Sequence, residues 1–396
     1  MSRHFIHVGT GDYWRRLSSS CLGVLGSHQV FNAFTLVGLE SDGGPTTIRS
    51  PEQPLSEVVD KIDAENPTVL LAHPNHLHAP EALELLENSP STKIIIEKPY
   101  AIDKRELEDL TQAMTNNRNR IALAESFLAS YAAPLMVAAG LVAEDSFYRT
   151  DQDSLQPIAH MSMVEGCLEE RVGKPLYALV NLVQGKGSDG SVEHRNLSLV
   201  DSRLGGGMIQ DMGHHALAPL LALDGGIGDL EVIDVARAWC QEYVTNACQK
   251  ISGEHVGESY AQIDLISTKG VPVRACVGKY VGERNQLAMT IVGTKGTVLC
   301  DYSGRRIAFS TIGYEHNDEP FPSSAEWLME CRTGQDAYYP VLRTAMEGAD
   351  GKHPFKFDAS VVALRAQRLL LRALEKKDDG ERTKYQKGTP HDQIFS

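Results

Sequence analysis

Phe5-Ile6-His7-Val8-Gly9-Thr10-Gly11-Asp12-Tyr13-Trp14 is the stretch that decides the fold. A short β-type run ends in two glycines one residue apart, and a helical pattern follows from about Asp12 to Leu25. The first glycine permits a tight turn. The second lets the backbone approach a pyrophosphate, which then sits on the N-terminus of the next helix. Gly9, Thr10, Gly11, Asp12, Tyr13 and Trp14 are therefore the expected phosphate-side contacts of a dinucleotide. Trp14 stands where a third glycine is usual, so helix–strand packing must be managed differently here. Alone, the motif fits an ordinary β-to-α turn equally well, and its surroundings must decide.

Those surroundings alternate apolar strands with amphipathic helices. Phe34–Leu39, Thr68–Ala72, Lys93–Ile96 and Ile121–Ala124 read as buried strands, and Leu55–Ile62 and Ala79–Leu86 as helices, the latter opened by Pro80. Asp103-Lys104-Arg105-Glu106 reads as a capping box that starts a further helix to about Met114. The alternation predicts an α/β Rossmann-type, doubly wound parallel sheet over residues 1–126. In such sheets ligands bind outside the carboxyl ends of the strands. Glu40 closes the second strand, 31 residues after Gly9, where a carboxylate accepts hydrogen bonds from ribose hydroxyls. Neither Arg nor Lys stands beside it, so NAD is favoured over NADP.

After about Glu125 the rhythm changes. Leu176–Gln184, Val232–Trp239, Tyr260–Ser267, Val271–Val277, Ala288–Val292 and Thr297–Tyr302 are β-rich and mostly joined by turn residues. They predict an α+β second domain over 127–376 with a mainly antiparallel sheet. Ser360–Leu374 is a strongly amphipathic helix, and 377–396 form a polar tail.

Composition narrows the function classes. The 396 residues are 42% hydrophobic and 23% charged, an ordinary globular balance. A net charge of −14 disfavours nucleic acid and anionic membranes as partners. The seven cysteines are scattered without a C-x-x-C pair, which points to a reducing, cytoplasmic setting. No apolar run approaches the length of a membrane span, and no apolar stretch follows Arg15-Arg16 as an export signal would require.

Four clusters in one order closely resemble the glucose–fructose oxidoreductase / inositol dehydrogenase / rhizopine-catabolism (Gfo/Idh/MocA) family, over nearly the whole chain. They are the glycine turn, His73-Pro74-Asn75-His76-Leu77-His78, Glu97-Lys98-Pro99, and Gly205-Gly206-Gly207-Met208-Ile209-Gln210-Asp211-Met212-Gly213-His214-His215. Val292-Gly293-Thr294-Lys295-Gly296-Thr297 adds a segment typical of the family's second domain. The resemblance implies a Rossmann domain followed by a domain with a large open sheet, and an active site between them. It matches Lys98 to the lysine of the E-K-P motif, and Asp211 and His215 to the D-x-G-x-H motif. Asn75 and His78 match the P-N-x-x-H motif, and His73 and Glu97 lie beside these positions on the cofactor side. It further implies a sugar, cyclitol, amino sugar or nucleotide-sugar as substrate, and a homo-oligomer formed through the open sheet.

The chemistry can be argued from the residues. Oxidising a secondary alcohol requires removal of its O–H proton as hydride leaves carbon, and histidine has a suitable pKa. On a helix, Asp211 and His215 at i and i+4 share a face, so the carboxylate can orient the imidazole or hold a substrate hydroxyl. Lys98 supplies positive charge where an alkoxide develops. His215 is the expected proton acceptor and Lys98 the alternative. His214, adjacent but pointing elsewhere, is read as structural. His73, His76 and His78 have metal-like spacing, but no cysteine or carboxylate accompanies them locally and the family uses no metal here. Three features depart from the family. Glu125 takes part of the place where Asn and Arg are common, and is expected to face substrate. The 140–167 stretch is long, and Arg195 and Asn196 are candidate hydroxyl or phosphate ligands. Two other functions share these motifs: a non-catalytic regulator of the same fold, and a glycosidase that uses NAD transiently.

Overall fold

The computed structural model describes residues 4–10, 31, 33–38, 45–62, 64–125, 127–142, 166–185, 199–224, 226–240, 243–244, 247, 251–279, 281, 285–311, 327–330, 338–352 and 355–376. Strands β1 (His4–Val8), β2 (Ala33–Gly38), β3 (Thr47–Ile48), β4 (Thr68–Leu71), β5 (Lys93–Glu97) and β6 (Ile121–Ala124) form one sheet in the order β3-β2-β1-β4-β5-β6. Every pairing in it is parallel. This is the strand order of a dinucleotide-binding doubly wound sheet, and its switch point lies between β1 and β4.

Both faces of this sheet are covered, which explains why its strands are apolar throughout. Ile6, Val8, Val69, Leu71, Ile94 and Ile96 pack with residues of α1 (Leu55–Lys61), α2 (His78–Asn88) and α3 (Lys104–Asn116). The expected cap of α3 is present: Asp103 Oδ1 accepts the Glu106 N–H at 2.9 Å. Glu106 reaches back one residue further than a reciprocal box would, to the Ile102 N–H.

Among the described residues the second sheet has eight strands: β7 (Pro175–Gln184), β8 (Leu230–Ala238), β9 (Tyr260–Ser267), β10 (Pro272–Lys279), β11 (Gln286–Gly293), β12 (Gly296–Asp301), β13 (Arg306–Thr311) and β14 (Trp327–Glu330). Their order is β14-β13-β12-β11-β7-β10-β9-β8, antiparallel everywhere except between β7 and β10. Strict alternation in β9 turns Ala261, Ile263 and Leu265 inward. Together with α4 (Ala133–Ala138) and the wholly buried α6 (Met208–Ala222), these residues make the second core. A short helix, α5 (Leu168–Val172), precedes β7.

The last described helices return to the first sheet, although the sequence division groups 338–376 with the second domain. Val341, Leu342, Ala345 and Met346 of α7 (Tyr338–Ala349) cover Phe5, Leu70 and Ile95 on the face opposite α1–α3. The last helix, α8 (Ala359–Glu375), divides its apolar residues. Val362, Ala366, Leu369 and Leu370 join the second core, while Ala363, Leu364 and Leu371 join the first. An amphipathic pattern reveals that a helix buries a face, but not which of two cores receives it.

Candidate active site

At the switch point, Gly9 has φ +115° and its N–H donates to the Val37 carbonyl at 3.0 Å. A Cβ built there would stand 2.5 Å from the Ala72 carbonyl oxygen. Only glycine lets the β1 turn lie this closely against the end of β4. His73, just beyond β4, pairs through Nε2 with Glu81 at 2.5 Å, and Arg49 holds the other Glu81 oxygen at 2.6 Å. His78 is fully buried, with Nδ1 2.8 Å from the Pro99 carbonyl and Nε2 2.9 Å from the His73 carbonyl. Burial pushes its pKa down to about 3, so the neutral ring carries one N–H and donates to only one carbonyl at a time. His78 thus ties the loop after β4 to the loop after β5. Asn75 crosses between the domains, donating from Nδ2 to the Gly205 carbonyl at 3.0 Å. Gly11, Asp12, Tyr13, Trp14, Glu40, Arg195, Asn196 and most of the 140–167 stretch lie outside the described residues.

The second wall of the cleft is seated by the glycine run. Gly207 has φ +111°, and a Cβ there would lie 2.8 Å from the Glu258 carboxylate. That buried carboxylate accepts the Ile209 N–H at 2.6 Å, and the Glu258 carbonyl accepts the Met208 N–H at 3.0 Å. Glu258 therefore caps the start of α6 from another segment, a favourable place for an acidic group. The first turns of α6 then carry Asp211, His214 and His215, all buried.

Lys98 follows β5 directly and precedes Pro99 through a cis peptide bond. Its Nζ donates to Asp211 Oδ1 at 2.5 Å and to the Asp211 carbonyl at 2.8 Å. The other carboxylate oxygen of Asp211 pairs with Nζ of Lys279, the last residue of β10, at 2.8 Å. His215 Nδ1 lies 3.3 Å from Glu125 Oε1, and the Tyr100 hydroxyl lies 3.3 Å from Glu125 Oε2. The structure thus brings Lys98, Asp211, Glu125 and His215 together. Sequence spacing left Asp211 either to orient the imidazole or to hold a substrate hydroxyl; in the structure Asp211 binds two lysines and Glu125 faces the ring. The Glu125 side chain is fully buried against His215 and Tyr100.

Two directions of charge follow. Burial alone would lower the Lys98 pKa, but Asp211, Glu97 and Glu125 outweigh it and hold the ammonium above its ordinary value. Burial lowers the His215 pKa, with Lys98 adding to the effect and Glu125 opposing it. The ring is therefore neutral near pH 7. A carboxylate offers only acceptors, so the Nδ1 facing Glu125 carries the hydrogen and Nε2 carries the lone pair. His214 differs. Its Nε2 donates to Gln367 Oε1 at 2.8 Å, its ring meets Tyr100 edge-on, and burial pushes its pKa down to about 4.

No family model matches the sequence, and no curated protein is similar to it. Solved structures do match over nearly the whole chain. The WlbA dehydrogenase of Chromobacterium violaceum, in complex with NADH and UDP-GlcNAcA, is 15% identical with a TM-score of 0.62, over 94% of this chain and 93% of its own. Levoglucosan dehydrogenase, in complex with NADH and levoglucosan, is 16% identical with a TM-score of 0.62, over 95% and 98%. The 3-ketoreductase KijD10 of Actinomadura kijaniata, in complex with TDP-benzene and NADP, is 16% identical with a TM-score of 0.60, over 94% and 96%. At these identities the likeness establishes the two-domain fold.

Sequence reasoning missed Lys279, Tyr100 and Gln367. Lys279 closes a strand whose preceding four residues are all buried, which is a faint sign of a lysine held inside. Gln367 sits on the apolar side of α8, where its Oε1 also accepts the Tyr100 N–H at 2.9 Å and its Nε2 reaches Gln210 Oε1 at 2.9 Å. A polar residue on that stripe was the available signal.

Proposed function

We propose that this chain is a nicotinamide-dependent oxidoreductase of the Gfo/Idh/MocA family. In this reading it moves hydride between the dinucleotide and a secondary alcohol or ketone carbon of a sugar, cyclitol, amino sugar or nucleotide-sugar. The observation that carries the reading is the meeting of Lys98, from the carboxyl edge of the parallel sheet, with Asp211 and His215 on α6. The glycine cradle at Gly9 and the switch point beside it fit a dinucleotide pyrophosphate. Among the described residues, Arg49 is the cation that follows β3 at the edge strand, and Glu81 already holds it. Together with the sequence expectation that Glu40 accepts hydrogen bonds from the ribose hydroxyls, that favours NAD over NADP.

The dinucleotide, when bound, supplies the hydride acceptor or donor. His215, neutral and with its lone pair on Nε2, takes the substrate hydroxyl proton during oxidation and returns it during reduction. Lys98 stays protonated and stabilises negative charge on the same oxygen. These opposite shifts favour His215 over Lys98 as the proton acceptor. Glu125 acts through His215 by fixing its tautomer, and Asp211 acts through Lys98 by anchoring its ammonium. His78 has both ring nitrogens turned to main-chain carbonyls and shapes the crevice from behind.

The test is a panel of polyols, sugars and nucleotide-sugars incubated with NAD or NADP, following reduced nicotinamide by absorbance. The reading expects turnover with at least one panel member, stronger with NAD, and release of an oxidised product. Release of free sugar with no net reduced nicotinamide would indicate the glycosidase chemistry. Cofactor binding without turnover on any substrate would indicate a regulator.

A further inference from the structure

The buried polar cluster of the cleft contains a lysine that the proposed reaction does not use. Lys279 is buried at the end of β10, on the second domain, while Lys98 comes from the first. Both ammonium groups bind the one carboxylate of Asp211, on opposite oxygens. Asp211 is itself buried.

Charge makes the arrangement informative. Among the described residues, the titratable groups that act on or respond to Lys98 include Asp211 on α6, Glu97 at the end of β5, Glu125 after β6, and the neutral His214 and His215. Lys98 and Lys279 set two formal positive charges against these three carboxylates. Without Lys279 a single ammonium would face all three. An oxyanion forming beside that cluster would be repelled more strongly, and the Lys98 ammonium meant to stabilise it would be fully compensated by its own anchor, Asp211. Inside a protein such charges act over several ångströms with little screening.

We propose that Lys279 is a positioning residue that holds Asp211 from the second domain and offsets its charge, so that Lys98 presents effective positive charge to the reacting oxygen and the nicotinamide ring. The inference rests on the proposed nicotinamide reading. It predicts that the Lys279 charge moves the relative affinity of the cleft toward the neutral, reduced ring and away from the cationic, oxidised one, compared with a chain that lacks that charge.

The experiment measures NADH and NAD dissociation constants by fluorescence titration, directly and in competition, with no substrate present. Lys279→Gln removes one positive charge and should shift the ratio of the two constants toward NAD by about tenfold. Lys279→Arg should keep the ratio within about twofold of wild type. Asp211→Asn removes one negative charge and should shift the ratio the opposite way, which a merely structural role of the bridge would not do. It also provides the measurement if Lys279→Gln fails to fold. Opposite shifts with rescue by arginine support the proposal. An unchanged ratio in a folded Lys279→Gln, or shifts of the same sign in both neutral variants, would overturn it while leaving the nicotinamide reading intact. Failure of the wild-type chain to bind either form would overturn both.

Discussion

The first-domain side of the cleft presents its polar groups at the ends of separate parallel strands: Gly9 after β1, His73 after β4, Lys98 after β5 and Glu125 after β6. The second-domain side draws Asp211 and His215 from one stretch of α6, and Lys279 from the end of β10. On the first side, strand order and register fix the positions, so each group is held by the sheet as a whole. On the second, two groups depend on one helix, and that helix depends on Gly207 and Glu258. Function is thus assembled by two rules: independent strand ends on one wall, and a single seated helix on the other.

That contrast can be broken most severely at the lysine that joins the walls. In the proposed reading, Lys98→Ala should lower turnover about a thousandfold, because the charge facing the developing oxyanion is lost. His215→Ala should cost about a hundredfold, the usual scale of general acid–base catalysis, with little change in cofactor affinity. Steady-state kinetics with the best panel substrate checks both. Glu125→Gln should lower kcat by about tenfold while leaving the cofactor KM unchanged, and Glu125→Asp should recover part of the loss. An equal loss in both variants would assign Glu125 to structure alone.

The smaller effects are on stability. Gly207→Ala places a methyl against the Glu258 carboxylate at positive φ and should destabilise the fold by about 1–3 kcal/mol, read by chemical denaturation. The buried histidines give the pH dependence. His7 and His78 have pKa values near 3 and His214 near 4, each lowered first by burial. Their folded pKa values lie below the unfolded value of 6.5, so the stability they contribute is complete above that pH and is lost on acidification toward their folded values. Stability should therefore fall as pH drops from 6.5 toward 4, read by chemical denaturation at each pH. A shallow slope between pH 6.5 and 4 would show that these rings are not buried as described.

Much of the first wall was legible in the sequence because its groups fall at strand ends, and strands announce themselves by apolar runs. Phe5–Val8, Thr68–Ala72, Lys93–Ile96 and Ile121–Ala124 each lie within a residue of the observed bounds. The second wall was legible only in part. Asp211 and His215 share a helix, as their spacing implied, but spacing could not tell which carboxylate would meet the imidazole. The Glu125–His215 contact spans 90 residues and the Lys279–Asp211 pair joins β10 to α6, so both depend on how the two domains meet. The strands β13 and β14 and the helix α7 carry weaker patterns, and α7 finds its place on a sheet formed by the opposite end of the chain.

The most direct test of the central claim is a titration with NADH and NADPH, followed by energy transfer from protein aromatic residues to the nicotinamide. It compares wild type with Gly9→Ala, with unfolding temperature measured alongside. The account predicts saturable NADH binding by the wild-type chain, weaker NADPH binding, and NADH affinity at least about tenfold lower when a methyl occupies the cradle at Gly9. Binding of neither nucleotide, or equal NADH affinity in a folded Gly9→Ala, would contradict it.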